Sequence, residues 1–420
     1  MGQCRPHLGL VVTGPLNGIT VLDLSMFIAG PFGTMLLADL GAEVIKVEPP
    51  SGDPVRSNRI GPQVRGENAQ FHSYNRNKKS IVLDLKNEHG LAVFEDLVGT
   101  ADVVFDNFRP GVLERLKLDH DRLSRINPAI ISCSVSAFGQ TGPWAKRAGY
   151  DLTVQALGGG MSLAGHAATG PAHIPFHLGD TAGGMFGALG LLAAIAERHR
   201  TGKGRRVDVS MFDAQIALLG DEITNYVASG EVSPFHGAGH PNFFPYQSFA
   251  TADEPIVVAA VGVEKYWVAF CAAIGRRDLA ADTRYSSNAA RVAHRDVLEA
   301  EVAAALMMKT RTEWLAVFED ADVPAAPIQT VGEAIAAPQA VAREMVAMTE
   351  VAGATVAMAG NPVKFDGDET QFVPAPMLGA DQNGVLAERL GYDANRISAL
   401  EAQGAFGVPR TMNQRNSVST

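Results

Sequence analysis

Apolar and polar positions alternate between two periods along the first half of the chain. Ile19-Thr20-Val21-Leu22-Asp23-Leu24 is a short β-rich run, followed by Gly30-Pro31 and an apolar stretch from Phe32 to Leu40 with helical character. Gly41 ends that helix and Val44-Ile45-Lys46-Val47 starts the next strand, a βαβ unit with short connections. The pattern continues with a strand at Ile81 to Leu85, a helix at His89 to Val98, a strand at Val103 to Phe105 and a short helix at Val112 to Leu116. Ile130 to Val135 is a further strand, residues 181–199 a long apolar helix, and Val207 to Met211 a strand or the entry to a helix. Such alternation predicts an α/β fold, with a Rossmann-like parallel sheet in a large domain.

After Gly230 the pattern changes. Residues 233–249 are rich in Pro, His, Phe and Gly. They are followed by a strand at Ile256 to Val261, helices at 265–273, 297–306 and 311–320, and a strand edge or turn at Val323 to Ile328. From about residue 345 β-like runs resume, with helices at 383–390 and 395–402. The predicted organisation is a large domain over 15–225, a linker and substrate-lining segment over 226–250, a small α/β domain over 251–340, and a segment 341–410 returning to the large domain. Residues 1–14 and 411–420 are expected to be loose termini.

Composition narrows the class of function. The chain has 420 residues, 46% hydrophobic and 19% charged, which suits a soluble globular protein with a substantial core. A net charge of −10 argues against nucleic acid as a partner. Three scattered cysteines form no CxxC pair, so neither a zinc site nor a disulfide framework is expected, and a reducing cytoplasm fits best. The longest apolar run, Met185 to Ile195, is read as too short and glycine-rich to cross a membrane, and no signal peptide is read. Neither GxGxxG after the first strand nor GxxxxGK[ST] occurs, so a nucleotide role is unsupported. No spacing among His166, His173 and His177 suggests a metal.

Two clusters carry candidate chemistry. Asp180 lies in His177-Leu178-Gly179-Asp180-Thr181-Ala182-Gly183-Gly184, ahead of the long apolar helix. One reading makes it the helix N-cap. The other makes it a ligand-facing carboxylate, with three nearby glycines leaving the backbone open. The second cluster joins Tyr74 to Ser80, Lys86, Asp106 to Gly111 and Arg115. Its cations at strand ends are placed to meet phosphates, or they are an ordinary solvated rim.

The order of motifs decides between these readings. Pro15 to Ile19 with Ala29-Gly30-Pro31, Leu40 to Glu48, Asn77 to Lys86 and Asp106 to Gly111 are joined by Gly139-Gln140-Thr141-Gly142-Pro143, Gly149-Tyr150-Asp151, Gly179-Asp180 and Arg200 to Gly204. Together they resemble class III CoA-transferases of the CaiB/BaiF type, which include formyl-CoA and carnitine-CoA transferases and α-methylacyl-CoA racemases. The resemblance runs from residue 15 to about 400. It implies that Asp180 is a nucleophile forming an aspartyl anhydride and then an aspartyl-CoA thioester, the adjacent glycines letting thioester and main chain come close. A carboxylate with an ordinary pKa of ~4 needs no activating base for this.

The same resemblance implies CoA contacts at Phe27, Lys78, Leu83, Lys86, Asn107, Phe108, Arg115 and Leu116. It places Ile28, Tyr150, His240 and Tyr246 toward the substrate, with His240 a candidate partner for a distal carboxylate. Acyl-CoA and a small carboxylic acid are the expected substrates, with no tightly bound cofactor, no membrane partner and an intertwined homodimer. Ile28, Pro49 and Ala148 depart from the formyl-CoA pattern, which weighs against formyl or oxalyl substrates and shifts a phosphate contact toward Lys146 or Arg147. Racemases carry His where Tyr150 stands and a glutamate near Ala250; a phenol with pKa ~10 is a poor base at neutral pH, which favours CoA transfer. A racemase, an intramolecular CoA shift and a non-catalytic acyl-CoA-binding protein remain as alternatives. The aromatics of His236 to Tyr246 are either an acyl pocket or interface packing.

Overall fold

The structure is a computed structural model; it describes residues 13–64, 66–235, 237–261, 263–351, 354–366 and 372–407. The expectations for residues 1–12 and 408–420, and for His236, therefore fall outside the described residues. Two compact units are present. The first comprises the chain up to Gly160, Ile174–Gly220 and the chain from Ala342 on; the second comprises Met161–His173 and Asp221–Val341.

Six strands build the sheet of the first unit: β1 (Thr20–Asp23), β2 (Glu43–Glu48), β3 (Lys78–Val82), β4 (Val103–Asp106), β5 (Ile131–Ser136) and β6 (Arg206–Ser210). They are all parallel, in the order β6-β5-β4-β1-β2-β3. The chain leaves β1 toward β2 on one side and later returns to β4 on the other. The switch point of the doubly wound sheet therefore lies between the carboxyl ends of β1 and β4, where such folds open a crevice for ligands. The edge strand β3 is closed by the C-terminal segment: Asp381 accepts from Ser80 N at 2.8 Å and Gln382 from Val82 N at 2.7 Å.

Strand β3 begins at Lys78, three residues earlier than the apolar run Ile81 to Leu85 predicts. This displacement moves Lys78 out of a loop and into the sheet, with consequences for the site.

Helix α1 (Ala29–Asp39) starts before Gly30-Pro31, because proline is tolerated in a first helical turn. On the same sheet face lies the 24-residue helix Leu178–Thr201, labelled α4 once α2 (Glu88–Val98) and α3 (Asp151–Leu157) are counted. By length and composition α4 is apolar enough to cross a membrane, against the expectation from Met185 to Ile195 alone. Half of its apolar window is buried in this fold.

Glycines make that burial possible. A Cβ at Gly184 would sit 2.4 Å from the Ala29 carbonyl oxygen and 3.0 Å from Gly33 N, and one at Gly183 would sit 2.9 Å from Met211 Cγ. These glycines allow helix and sheet contact, so their expected role in admitting a thioester is corrected: their open sides are filled by protein. Because the obstruction at Gly184 is backbone, no rotamer change relieves it. Gly184→Ala is expected to lower stability by about 1–3 kcal/mol, read from chemical denaturation.

The second unit has an antiparallel sheet of Tyr246–Phe249, Ile256–Ala259 and Ala325–Pro327. Its own core includes Trp267, Phe270, Trp314 and Phe318, with Trp314 and Phe318 stacked 5.5 Å apart.

Candidate functional site

Helix α4 is capped from a distance. Its N-cap residue, His177, offers no side-chain hydrogen bond. Instead Asp151, the first residue of α3, takes both available donors: its Oδ1 accepts from Gly179 N at 2.7 Å and from Asp180 N at 3.1 Å. Its Oδ2 accepts from Gln155 Nε2 at 2.7 Å, and Gln155 Oε1 in turn accepts from Ile174 N at 3.0 Å. The capping requirement of the helix is thus met without Asp180.

Asp180 is the third residue of α4, partly buried, and its carboxylate accepts no hydrogen bond among the described residues. The N-cap reading of Asp180 is overturned, since the residue in the capping role is Asp151. Burial and the Asp151 carboxylate push the Asp180 carboxyl up to about 7. An ordinary value near ~4 is corrected accordingly. Tyr74 belongs to the same group: burial raises its phenol, and the carboxylates of Asp180 and Asp151 raise it further. Its ring meets Phe32 edge-on at 6.0 Å, and Phe32 lies against Gly184, one helical turn below Asp180.

The second group gathers at the switch point. After β1 the chain turns through Phe27, a residue 46% exposed with a left-handed backbone (φ 66°). Asn107, just past β4, reaches across: its Oδ1 accepts from Met26 N at 2.9 Å and its Nδ2 donates to Met26 O at 2.7 Å. Phe108 is half-buried against the core cluster that includes Leu22, Ile45 and Phe94, and borders an open cleft lined also by Asp106, Arg109, His120 and Arg206. Lys86 and Arg115 are exposed and have no ion-pair partner among the described residues, which leaves both available to an anionic ligand.

One expected contact is corrected, and three other expected site residues are wholly or partly buried. Lys78 is buried, and its ammonium donates to Asp23 Oδ2 at 3.0 Å, Pro31 O at 3.0 Å and Asn75 Oδ1 at 2.9 Å. All three of its donors are engaged, so the side chain does not serve a phosphate. Leu83 is buried in the core, and Leu116 packs against that core. Ile28 is also buried and stands at the N-cap position of α1.

Tyr150 is 66% exposed, immediately before the Asp151 that caps α4. His240 and Tyr246 belong to the second unit. There the His240 ring lies 4.9 Å from Phe243 and 5.5 Å from Tyr246, and its Nδ1 accepts from Asn242 N at 3.1 Å. Among the described residues no group of three or more His, Cys, Asp or Glu is arranged to hold a metal ion. Sequence reasoning missed the roles of Asp151 and Tyr74. The Gly149-Tyr150-Asp151 motif signalled the first, because a carboxylate beginning one helix is free to cap another.

Known proteins give the same assignment over nearly the whole length. CoA-transferase family III matches residues 16–382. An acetyl-CoA:oxalate CoA-transferase of Acetobacter aceti is 41% identical over 380 residues, covering 90% of this chain and 95% of that protein. A succinate–glutarate CoA-transferase of Agrobacterium fabrum is 37% identical over 390 residues, covering 89% and 95%. Among solved structures, a CaiB/BaiF family protein from Brucella suis superposes with a TM-score of 0.80 at 36% identity, covering 90% of this chain and 99% of that one. The chain, with its six-stranded parallel sheet and its Asp180 at the start of α4, belongs to CoA-transferase family III.

Proposed function

We propose that the protein transfers coenzyme A from an acyl-CoA to a small carboxylic acid, with Asp180 as covalent nucleophile. The observation that carries this reading is the unligated Asp180 carboxylate, relieved of capping by Asp151. An Asp180 oxygen attacks the thioester carbonyl, the C–S bond breaks, and CoA leaves as thiolate from a mixed anhydride. The thiolate then attacks Asp180 Cγ, expelling the donor acid as its carboxylate and leaving an aspartyl-CoA thioester. The acceptor carboxylate attacks Cγ to regenerate an anhydride and thiolate, and thiolate attack on the acceptor's acyl carbon releases the new acyl-CoA and restores Asp180.

Acceptors with a second carboxylate are favoured by the relatives, whose names specify oxalate, succinate and glutarate. The oxalate relative counts against the weight placed on Ile28, Pro49 and Ala148 for excluding oxalyl substrates. A homodimer is part of the proposal. Tyr150, Leu152, Phe176, Met185 and Leu189 expose 46–66% of their surface around the helix bearing Asp180, and a second copy would cover them.

The test is a screen of acyl-CoAs against C2 to C5 carboxylates, with product acyl-CoA read by mass spectrometry and mass in solution by light scattering. Transfer to no acid, together with solvent deuterium entering the α-carbon of a 2-methylacyl-CoA, would replace this reading with racemisation.

The raised carboxyl makes a pH prediction. Only ionised Asp180 attacks, so kcat/KM is expected to rise with pH through a limb near 7. Asp151→Asn keeps an oxygen for the two helix N–H groups and removes the charge that helps hold Asp180 protonated. The limb is therefore expected to move to lower pH in that variant, as measured from kcat/KM between pH 5 and 9.

A further inference from the structure

The turn that closes the switch point is held from several sides. An aromatic residue with positive φ is strained on its own, so the surroundings must impose the shape. Here Lys46, fully buried, donates to Ser25 O at 2.7 Å and pairs with Asp53 at 3.0 Å. Asp23 accepts from Ser25 N at 2.9 Å. From the opposite strand end, the Asn107 carboxamide satisfies both the N–H and the carbonyl of Met26, as one rung of a ladder would. Gly30 completes the fit: a Cβ there would lie 2.2 Å from Ser25 Cβ and 3.3 Å from Asn107 Cγ.

We propose that Asn107 is a positioning residue: with Lys46 on the other side, it holds the Met26–Phe27 turn in the left-handed shape that makes Phe27 a wall of the acyl-CoA crevice. The role differs from direct contact with CoA: one N–H and one lone pair of the carboxamide are committed to Met26. It rests on the proposed function for the identity of the ligand, while the clamp itself stands on the hydrogen bonds alone.

The two roles separate experimentally. In the full-length protein, amide hydrogen exchange at Met26 and Phe27 is measured without ligand in wild type and Asn107→Ala, with Asn107→Ser as the milder second variant. CoA binding is measured by calorimetry and acyl-CoA turnover by steady-state kinetics. The expected result is faster exchange at Met26, at least about tenfold weaker CoA binding and raised KM for acyl-CoA, with kcat within about threefold of wild type. Weakened CoA binding with unchanged exchange would overturn the proposal in favour of direct contact. Faster exchange with unchanged binding and KM, or a lowered thermal midpoint alone, would overturn it in favour of a purely structural bond. Because exchange is read without substrate, a wild-type protein that transfers no CoA defeats the functional reading while the clamp is still decided.

Discussion

Asp180→Ala is expected to reduce kcat for CoA transfer by about 10⁴-fold or more while the protein stays folded, because the variant has no atom on which either covalent intermediate can form. Asp180→Asn keeps the shape and is expected to be as inactive, since a neutral carboxamide neither attacks the thioester nor becomes a carboxylate leaving group. Isotope transfer gives a positive signature. With an acceptor carboxylate carrying ¹⁸O, one labelled oxygen is left on Asp180 at the end of a turnover, and part of that label leaves in the donor acid of the next. Transfer without label in the released acid would exclude the anhydride.

Stability should move the other way. The folded-state pKa of Asp180, about 7, lies above its value in an unfolded chain, so the folded protein binds the extra proton between about pH 4 and 7. Stability from this group is present at acid pH and is lost as pH rises through 7. Asp180→Asn removes that loss. After discounting for the residue's partial exposure, the variant is expected to be about 1–3 kcal/mol more stable than wild type at pH 8, and to lose that advantage near pH 4. Denaturant melts at the two pH values measure it. A variant that is both inactive and more stable at pH 8 is the mark of a carboxylate held at a cost for chemistry.

How far the sequence reaches depends on which contacts are local. The period-2 and period-3.6 runs located five strands of the parallel sheet and left the sixth as a strand or a helix entry, because each strand's apolar side chains are neighbours in the chain. Asp180 stood out for its position before a helix and among glycines, yet both explanations attached to that pattern were incomplete. Its capping partner, Asp151, lies 28 and 29 residues away from the two N–H groups it receives. The glycines answer to Ala29, Gly33 and Met211, which no local pattern links to them. Lys78 misled for a related reason. It stands among Arg76, Asn77 and Lys79 like a solvated cation, and only the start of β3 at this residue turns it inward.

That inward turn makes Lys78→Met the most damaging of the stability changes expected here. The ammonium and the Asp23 carboxylate are both buried and 3.0 Å apart. Burial pushes the Asp23 carboxyl up, but Lys78, Lys46 and the hydroxyls of Ser25 and Thr34 outweigh it and hold the group at about 2. Burial draws the Lys78 ammonium down to about 8 against the pull of Asp23, so the pair is charged at neutral pH. Methionine fills a similar volume and leaves Asp23 with one cation fewer in a site without water contact. The expected loss is about 3–5 kcal/mol at pH 7, most of it the desolvation of an under-compensated carboxylate. Two further measurements separate this from lost packing. Without Lys78 the folded-state pKa of Asp23 must rise, so the deficit should shrink as pH falls toward 5, where a packing defect would stay constant. In the Lys78→Met/Asp23→Asn double variant the orphaned charge is gone, and much of the stability should return. Activity should return with it, because the carboxamide oxygen of the Asp23→Asn change can still accept from Ser25 N and Oγ and so help to hold the turn that carries Phe27.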